Sequence, residues 1–167
     1  TQGYFFVLTR LTGRPIYPIQ ERPVPASDVP GEKSSPTQPY VPLPKQAVPD
    51  RWPGVSTIAN IASAGYCSRK FHQLRYDGPF TPPSLKGSLI YPPTPGGVEW
   101  GGGAVDPVTN TYIVNNSYVA QIYQLLTRKQ YDAKTHAKKK KNYYPMTNWL
   151  GMPCWAPPYG SIAAYDL

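Results

Sequence analysis

The sequence predicts an all-β chain of short strands joined by ordered loops, and three observations carry that reading. Twenty-two prolines are spread through 167 residues. Each removes a backbone donor and restrains its predecessor, so helices of useful length are hard to build. Fourteen tyrosines and four tryptophans favour strands. Short apolar runs such as 88–91 and 111–114 are bounded by Pro, Gly, Asn or Asp, the residues of turns.

Residues 3–9, GYFFVLT, are aromatic and β-branched and read as a strand buried on both faces. A turn at 10–15, with Gly13 suited to positive φ, leads to a second short strand at 16–19. The two make a hairpin over 1–20. From 21 to 55 a proline recurs every few residues, which describes an extended, polyproline-like segment without regular pairing. A solvated linker or SH3-type ligand would lack apolar anchors. Val24, Val29, Tyr40, Val41, Leu43 and Trp52 supply them and favour an ordered loop across a large surface.

Residues 56–74 form the one short helix expected. Ser56 or Thr57 caps it, and Ile58, Ile61, Ala62, Phe71 and Leu74 recur at helical spacing around Gly65. His72 on this segment has no Cys or carboxylate spaced to partner it and reads as structural.

The most specific residue order runs from 75 to 107. A polar corner and a rigid turn precede a strand at 88–91, and a second turn leads to Trp100-Gly101-Gly102-Gly103. Glycines beside a large aromatic imply backbone packed against something flat, or a tight bend between strands. A strand corner and the wall of a flat-ligand pocket both satisfy this. Residues 106–110 turn into a strand at 111–116 that ends in Asn115 and Asn116, and 119–126 form a further strand. An asparagine at a strand end is a turn former, or it presents an amide to a ligand at the rim. Residues 127–149 are a polar surface excursion, and 150–167 turn into a last strand.

The net charge is +8, of which Lys134, Lys138, Lys139, Lys140 and Lys141 supply five. The basic balance is therefore one local run, and no nucleic-acid partner is expected. No apolar run reaches the roughly 20 residues that span a bilayer. With no initiator Met and no basic-then-apolar start, the chain is expected to be an excerpt. Cys67 and Cys154 have no metal-ligand spacing, which leaves two buried thiols or one disulfide.

Four segments in order, GYFFVLTRLTGRPIYP, ERPVPASDVPGE with SPTQPY, RYDGPFTPPSLKGSLIYP with WGGGAVDP, and LGMPCWAPPYGSIAAYDL, resemble the quinoprotein dehydrogenases that use pyrroloquinoline quinone (PQQ), in their membrane-associated glucose, quinate and polyol branch. The similarity covers nearly the whole chain. It implies a portion of an eight-bladed β-propeller, locked by tryptophan-docking repeats. Thr12-Gly13 keeps a repeat's turn, with Thr9 in place of the usual Asp and Tyr17 in place of the usual Trp. The chain then covers about two blades, from the hairpin at 1–20 through a blade at 56–126 to the start of the next at 150–167. Blades need neighbours, so large exposed apolar surfaces are expected.

The resemblance further implies part of a PQQ-dependent dehydrogenase that oxidises a sugar, polyol or quinate hydroxyl and passes electrons to a quinone. Asn115 falls where that family has an Asn contacting PQQ, and Trp100, Gly101 and Gly102 lie beside the same site. Thr1 falls where the family has a Lys that polarises the quinone, so that charge is missing. The base Asp belongs upstream of this sequence, as do most ligands of the Ca²⁺ or Mg²⁺ ion. No catalytic or metal-binding residue is therefore assigned, and Asp77 and Asp106 stay in turn contexts. The implied partners are the rest of the propeller, a small hydroxylated substrate and ubiquinone. The implied location is periplasmic, membrane-associated through other parts, and that compartment favours a Cys67–Cys154 disulfide. Competing readings are a non-catalytic propeller fragment and a Pro-rich basic interaction segment.

Overall fold

The computed structural model describes residues 2–98, 101–136 and 143–166, with backbone only for 134–136. Thr1, Trp100 and the Lys138 to Lys141 run, singled out above, lie outside the described residues.

The N-terminal runs meet only at a tight turn. Leu8 bridges Pro15, and the Ile16 N–H donates to the Val7 carbonyl at 2.9 Å. Gly13 closes the turn at φ +67°. The Thr9 hydroxyl accepts the Arg14 N–H at 3.1 Å and shares a hydrogen bond with Thr12, so the two threonines tie this turn. Burial on both faces is not found. Phe5 packs edge-on against Tyr112 and Tyr165, but Phe6 and Leu8 are exposed, because one bridge gives the run no sheet to sit in.

The Pro-rich stretch is paired, contrary to expectation. β1 (Gln20–Pro23) runs antiparallel to β2 (Thr37–Tyr40), with Arg22 opposite Gln38. The Val24 N–H donates to the Pro36 carbonyl. The even-numbered pairs therefore carry the hydrogen bonds, and Pro23 and Pro39 sit on pairs that need no N–H. The loop is anchored by buried Val41, Ala47 and Val48, while Leu43 is exposed. Trp52 stacks on Phe71 at 5.0 Å. Arg75 pins the loop from outside: its guanidinium donates to Asp77 and to the Ala26 carbonyl, each at 2.6 Å, and faces Asp28 at 3.4 Å.

Two helices replace the single one expected over 56–74. α1 (Thr57–Ala62) is capped by Ser56, whose Oγ accepts the Ala59 N–H at 3.3 Å. Ala64 and Gly65 have φ of +49° and +77°, which ends α1 before α2 (Tyr66–His72) begins. The buried side consists of Ala59, Ser63 and Cys67, and Ile58 and Ile61 are 74% and 76% exposed. The Asn148 side chain donates to the Ala59 carbonyl at 3.2 Å, an approach that a large side chain would block. His72 ends α2 beside the Phe71 ring.

Two three-stranded antiparallel sheets follow. In the first, β6 (Gln121–Tyr123) lies between β3 (Ser88–Ile90) and β7 (Tyr143–Pro145). In the second, β5 (Thr111–Ser117) lies between β4 (Ala104–Asp106) and β8 (Gly160–Asp166). The strand expected over 119–126 is shortened to β6. Asn115 and Asn116 lie inside β5 and not at its end, because β8 pairs with β5 as far as Ser117. The basic excursion contains α3 (Arg128–His136), with Arg128 and Asp132 paired one turn apart at 3.2 Å.

One buried cluster joins Leu89, Val114 and Ile122 of the sheets and Ala120 just before β6 to Val48 of the loop, Ala59 and Cys67 of the helices, and Met146, Cys154 and Trp155 of the tail. Cys67 and Cys154, both fully buried, form a disulfide. Leu11, Val108, Ile162 and Trp149 stand in solvent. Among the described residues no helix is long and apolar enough to cross a membrane.

Candidate functional site

The alternation of β5 decides which asparagine can meet a ligand. Val114 and Asn116 point into the protein, while Ile113 and Asn115 point out. Asn115 pairs with Ile162 and Ile113 with Ala164, so these four share one face of the sheet. Ala104 of β4, opposite Ile113, extends it. That face is solvent-open and apolar around a single carboxamide.

The glycine corner turns off the sheet at the same level. β4 pairs with β5 as far as Ala104 and Ile113, and the ladder resumes where Val98 bridges Asn116. Between these points β5 contributes only Val114 and Asn115, so Gly101 to Gly103 enters β4 beside Asn115. The three glycines differ. A Cβ on Gly103 would come within 2.5 Å of the Ile113 carbonyl oxygen and 2.6 Å of the Tyr112 ring. The flat object implied by the sequence is, at this residue, the protein's own tyrosine. Gly101 and Gly102 have open space where a Cβ would stand, and Gly102 has φ +75°.

This surface suits one edge of a flat, polar ring system. It offers apolar side chains for a ring face, a carboxamide that donates and accepts, and backbone unshielded by side chains. It offers no described cation for the cofactor's carboxylates, so it can form only one wall. Among the described residues no three His, Cys, Asp or Glu side chains gather as metal ligands. Asp77 is paired with Arg75. Asp106 accepts from the Thr109 hydroxyl at 2.7 Å and the Val108 N–H at 2.9 Å, bonds that lower its pKa and tie up its carboxylate in the turn before β5.

Comparison with known proteins identifies the family of the chain. A family profile described as "PQQ: Glucose/ethanol/alcohol dehydrogenase, beta-propeller domain" matches residues 1–167. The chain belongs to this PQQ β-propeller family. It is 39% identical over 99% of its length to a quinoprotein glucose dehydrogenase of Gluconobacter oxydans, of which it covers 23%. It is 35% identical to a glycerol dehydrogenase large subunit of Gluconobacter thailandicus, over 99% of the chain and 26% of that protein. It is 32% identical to a quinate/shikimate dehydrogenase (quinone) of Acinetobacter baylyi, over 99% of the chain and 23% of that protein. The chain thus spans about a quarter of the length of these relatives. No solved structure matches it at a significant level. The two open three-stranded sheets, and the exposed apolar face of the second with Ile113 and Ile162, are what a portion of a propeller leaves uncovered.

The sequence reading passed over an aromatic layer behind this wall. A cleft of about 380 Å³ is lined by Tyr4, Phe5, Gln38, Phe80, Val98 and Tyr112, among others. Tyr4 donates to Asp50 at 2.8 Å. Burial, and then that bond, raise the Tyr4 pKa. Burial, with the neighbouring Tyr118 and Tyr76 phenols, pushes Tyr91 from 10.0 up to about 12. Burial also raises Tyr76 and Tyr165. All four folded-state values lie above the unfolded one. Their contribution to stability is therefore complete below pH 10 and is lost as pH rises from 10 toward 12. The tyrosinate absorbance contributed by these four and the circular dichroism, followed together in an alkaline titration, are expected to change in one cooperative step in that window. Ionisation of every tyrosine near its ordinary value with the fold intact would refute this.

Proposed function

We propose that this chain forms one wall of the PQQ site in a dehydrogenase that oxidises a sugar, polyol or quinate hydroxyl and passes electrons to a membrane quinone such as ubiquinone. The observation that carries this is Asn115, which stands solvent-open on β5, the strand that Gly103 of the glycine corner approaches closely. PQQ, when bound, supplies the two-electron acceptor for the alcohol. In this reading the Asn115 carboxamide donates to an oxygen at the ring edge and fixes the ring's orientation. Ile113, Ile162 and Ala164 exclude water along its border. Gly101 and Gly102 let the ring approach the main chain. The base and the ligands of the Ca²⁺ or Mg²⁺ ion come from other parts of the propeller. Glucose, glycerol and quinate dehydrogenases among the relatives support this substrate class. The disulfide supports an oxidising compartment, the periplasm, with membrane attachment supplied elsewhere.

The test uses the full-length dehydrogenase with added PQQ and Ca²⁺ or Mg²⁺, in dye-linked oxidation of glucose, glycerol and quinate. Asn115→Ala is expected to weaken PQQ binding about ten- to a hundredfold, the contribution of a hydrogen bond to a charged or strongly polar oxygen. Fluorescence quenching measures that affinity. Turnover of none of the three substrates would leave a non-catalytic propeller instead.

A further inference from the structure

We propose that Asn116, Ser161 and Tyr118 are positioning residues for the cofactor wall, forming a one-directional hydrogen-bond chain that fixes where Asn115 stands; this rests on the proposed role of Asn115. The chain lies directly behind Asn115. Asn116 Nδ2 donates to Ser161 Oγ at 3.1 Å, Ser161 Oγ and the Tyr118 hydroxyl are 2.6 Å apart, and the Tyr118 hydroxyl donates to the Ala47 carbonyl at 3.0 Å. Asn116 and Tyr118 are 5% and 6% exposed, so both ends of the chain are buried, while Ser161 between them is exposed.

The protons can run only one way. The single Tyr118 proton goes to Ala47, whose carbonyl has none to give. The Ser161 proton must then go to the Tyr118 oxygen, which leaves the Ser161 oxygen to accept from the Asn116 amide. Turning that amide over would set its oxygen toward Ser161. The serine proton would be drawn away, and the 2.6 Å contact to Tyr118 would have no hydrogen. It would also set that oxygen against the Ser161 carbonyl, 3.5 Å from Nδ2. The orientation of Asn116 is thus dictated from Ala47 inward. Its Oδ1 is buried with no partner among the described residues, so nothing on the other side opposes that choice.

Tyr112 and Val114 already determine which face of β5 is buried. What they leave open is the position of the strand end that carries Asn115. There the chain joins three elements at one level: the Pro-rich loop through Ala47, β8 through Ser161, and β5 through Asn116. β8 lies so close that a Cβ on Gly160 would be 2.6 Å from the Asn116 carbonyl oxygen. The Ser117 N–H reaches the Gly97 carbonyl at 2.7 Å, which ties the same strand end to the segment leading into the glycine corner.

The experiment compares Tyr118→Phe, Ser161→Ala and Ser161→Thr in the full-length dehydrogenase. It reads PQQ affinity by fluorescence quenching, the absorbance band of bound PQQ, and the thermal midpoint of the PQQ-free protein. Tyr118→Phe keeps the ring and its packing, so it removes only the hydroxyl and its bonds to Ala47 and Ser161. Tyr118→Phe and Ser161→Ala are each expected to bind PQQ about five- to tenfold more weakly, with a shifted band. Ser161→Thr, which keeps the hydroxyl, is expected to bind as the wild type does. Wild-type affinity and an unshifted band in the first two variants, with only the midpoint lowered, would overturn the inference and leave the role of Asn115 intact. A wild-type protein that binds no PQQ would overturn both.

Discussion

Replacing Cys67 and Cys154 together by alanine in the full-length protein is expected to destabilise this region by about 4 kcal/mol. The two residues are 87 apart in sequence, and the loop they close contains both three-stranded sheets except β8. Without the bond, the unfolded chain regains the freedom that this closure removes, and the cost of closing a long loop falls on the packing alone. The bond also sits where the helical segment meets the tail. The Ser56 N–H donates to the Cys154 carbonyl and the Cys154 N–H to the Met146 carbonyl, each at 2.9 Å, and Val55 bridges Trp155. Both sulfurs are fully buried, so alanine leaves small voids in addition. Urea unfolding should show a lower midpoint for the double variant, and the wild type under reductant should move toward it. Coincident curves for variant and wild type would refute the prediction. Because Asn115 lies inside the closed loop, PQQ affinity in the variant should fall with temperature before global unfolding.

The sequence was most readable where one physical signal dominated. The runs SLI and GSIAAYD became strands because apolar residues stood between strong turn formers. The Thr12-Gly13 turn formed because it needs a positive φ that glycine supplies without cost. Three other places misled in instructive ways. Helical spacing ranks Ile58 and Ile61 as core, yet α1 buries Ala59, since the Asn148 side chain must reach the helix backbone there. Small residues at close contacts carry no hydrophobic signal. Proline density argued against pairing over 21–55, but Pro23 and Pro39 occupy positions whose missing N–H is not used. Which register spares a proline depends on the partner strand. The adjacent asparagines of β5 could not be told apart by composition, because the side-chain period of two sends one outward and the other into a network whose bonds span 43 to 71 residues of sequence.

Gly103→Ala is expected to destabilise the same region by about 3 kcal/mol, the upper end of what forcing a methyl into a packed site costs. The two atoms it would strike cannot move aside. One is the Ile113 carbonyl oxygen at 2.5 Å, part of β5, which is bound on its far edge to β8 from Thr111 to Ser117. The other belongs to the Tyr112 ring, which Phe5 holds edge-on at a centroid distance of 5.5 Å. The yielding element is therefore β4, which has only three residues, Ala104–Asp106, with which to resist peeling from β5. Peeling would carry the glycine corner away from Asn115, so PQQ affinity should fall with stability. Gly101→Ala supplies the contrast. Its Cβ would meet nothing within 4 Å, so chemical unfolding of that variant should match the wild type. If Gly101 borders the cofactor, the same methyl should still weaken PQQ binding. Loss of both stability and affinity at Gly103, against loss of affinity alone at Gly101, separates the glycine that supports the sheet from the one that faces the ligand. A Gly103→Ala variant as stable as the wild type would show that β4 does not depend on this close approach.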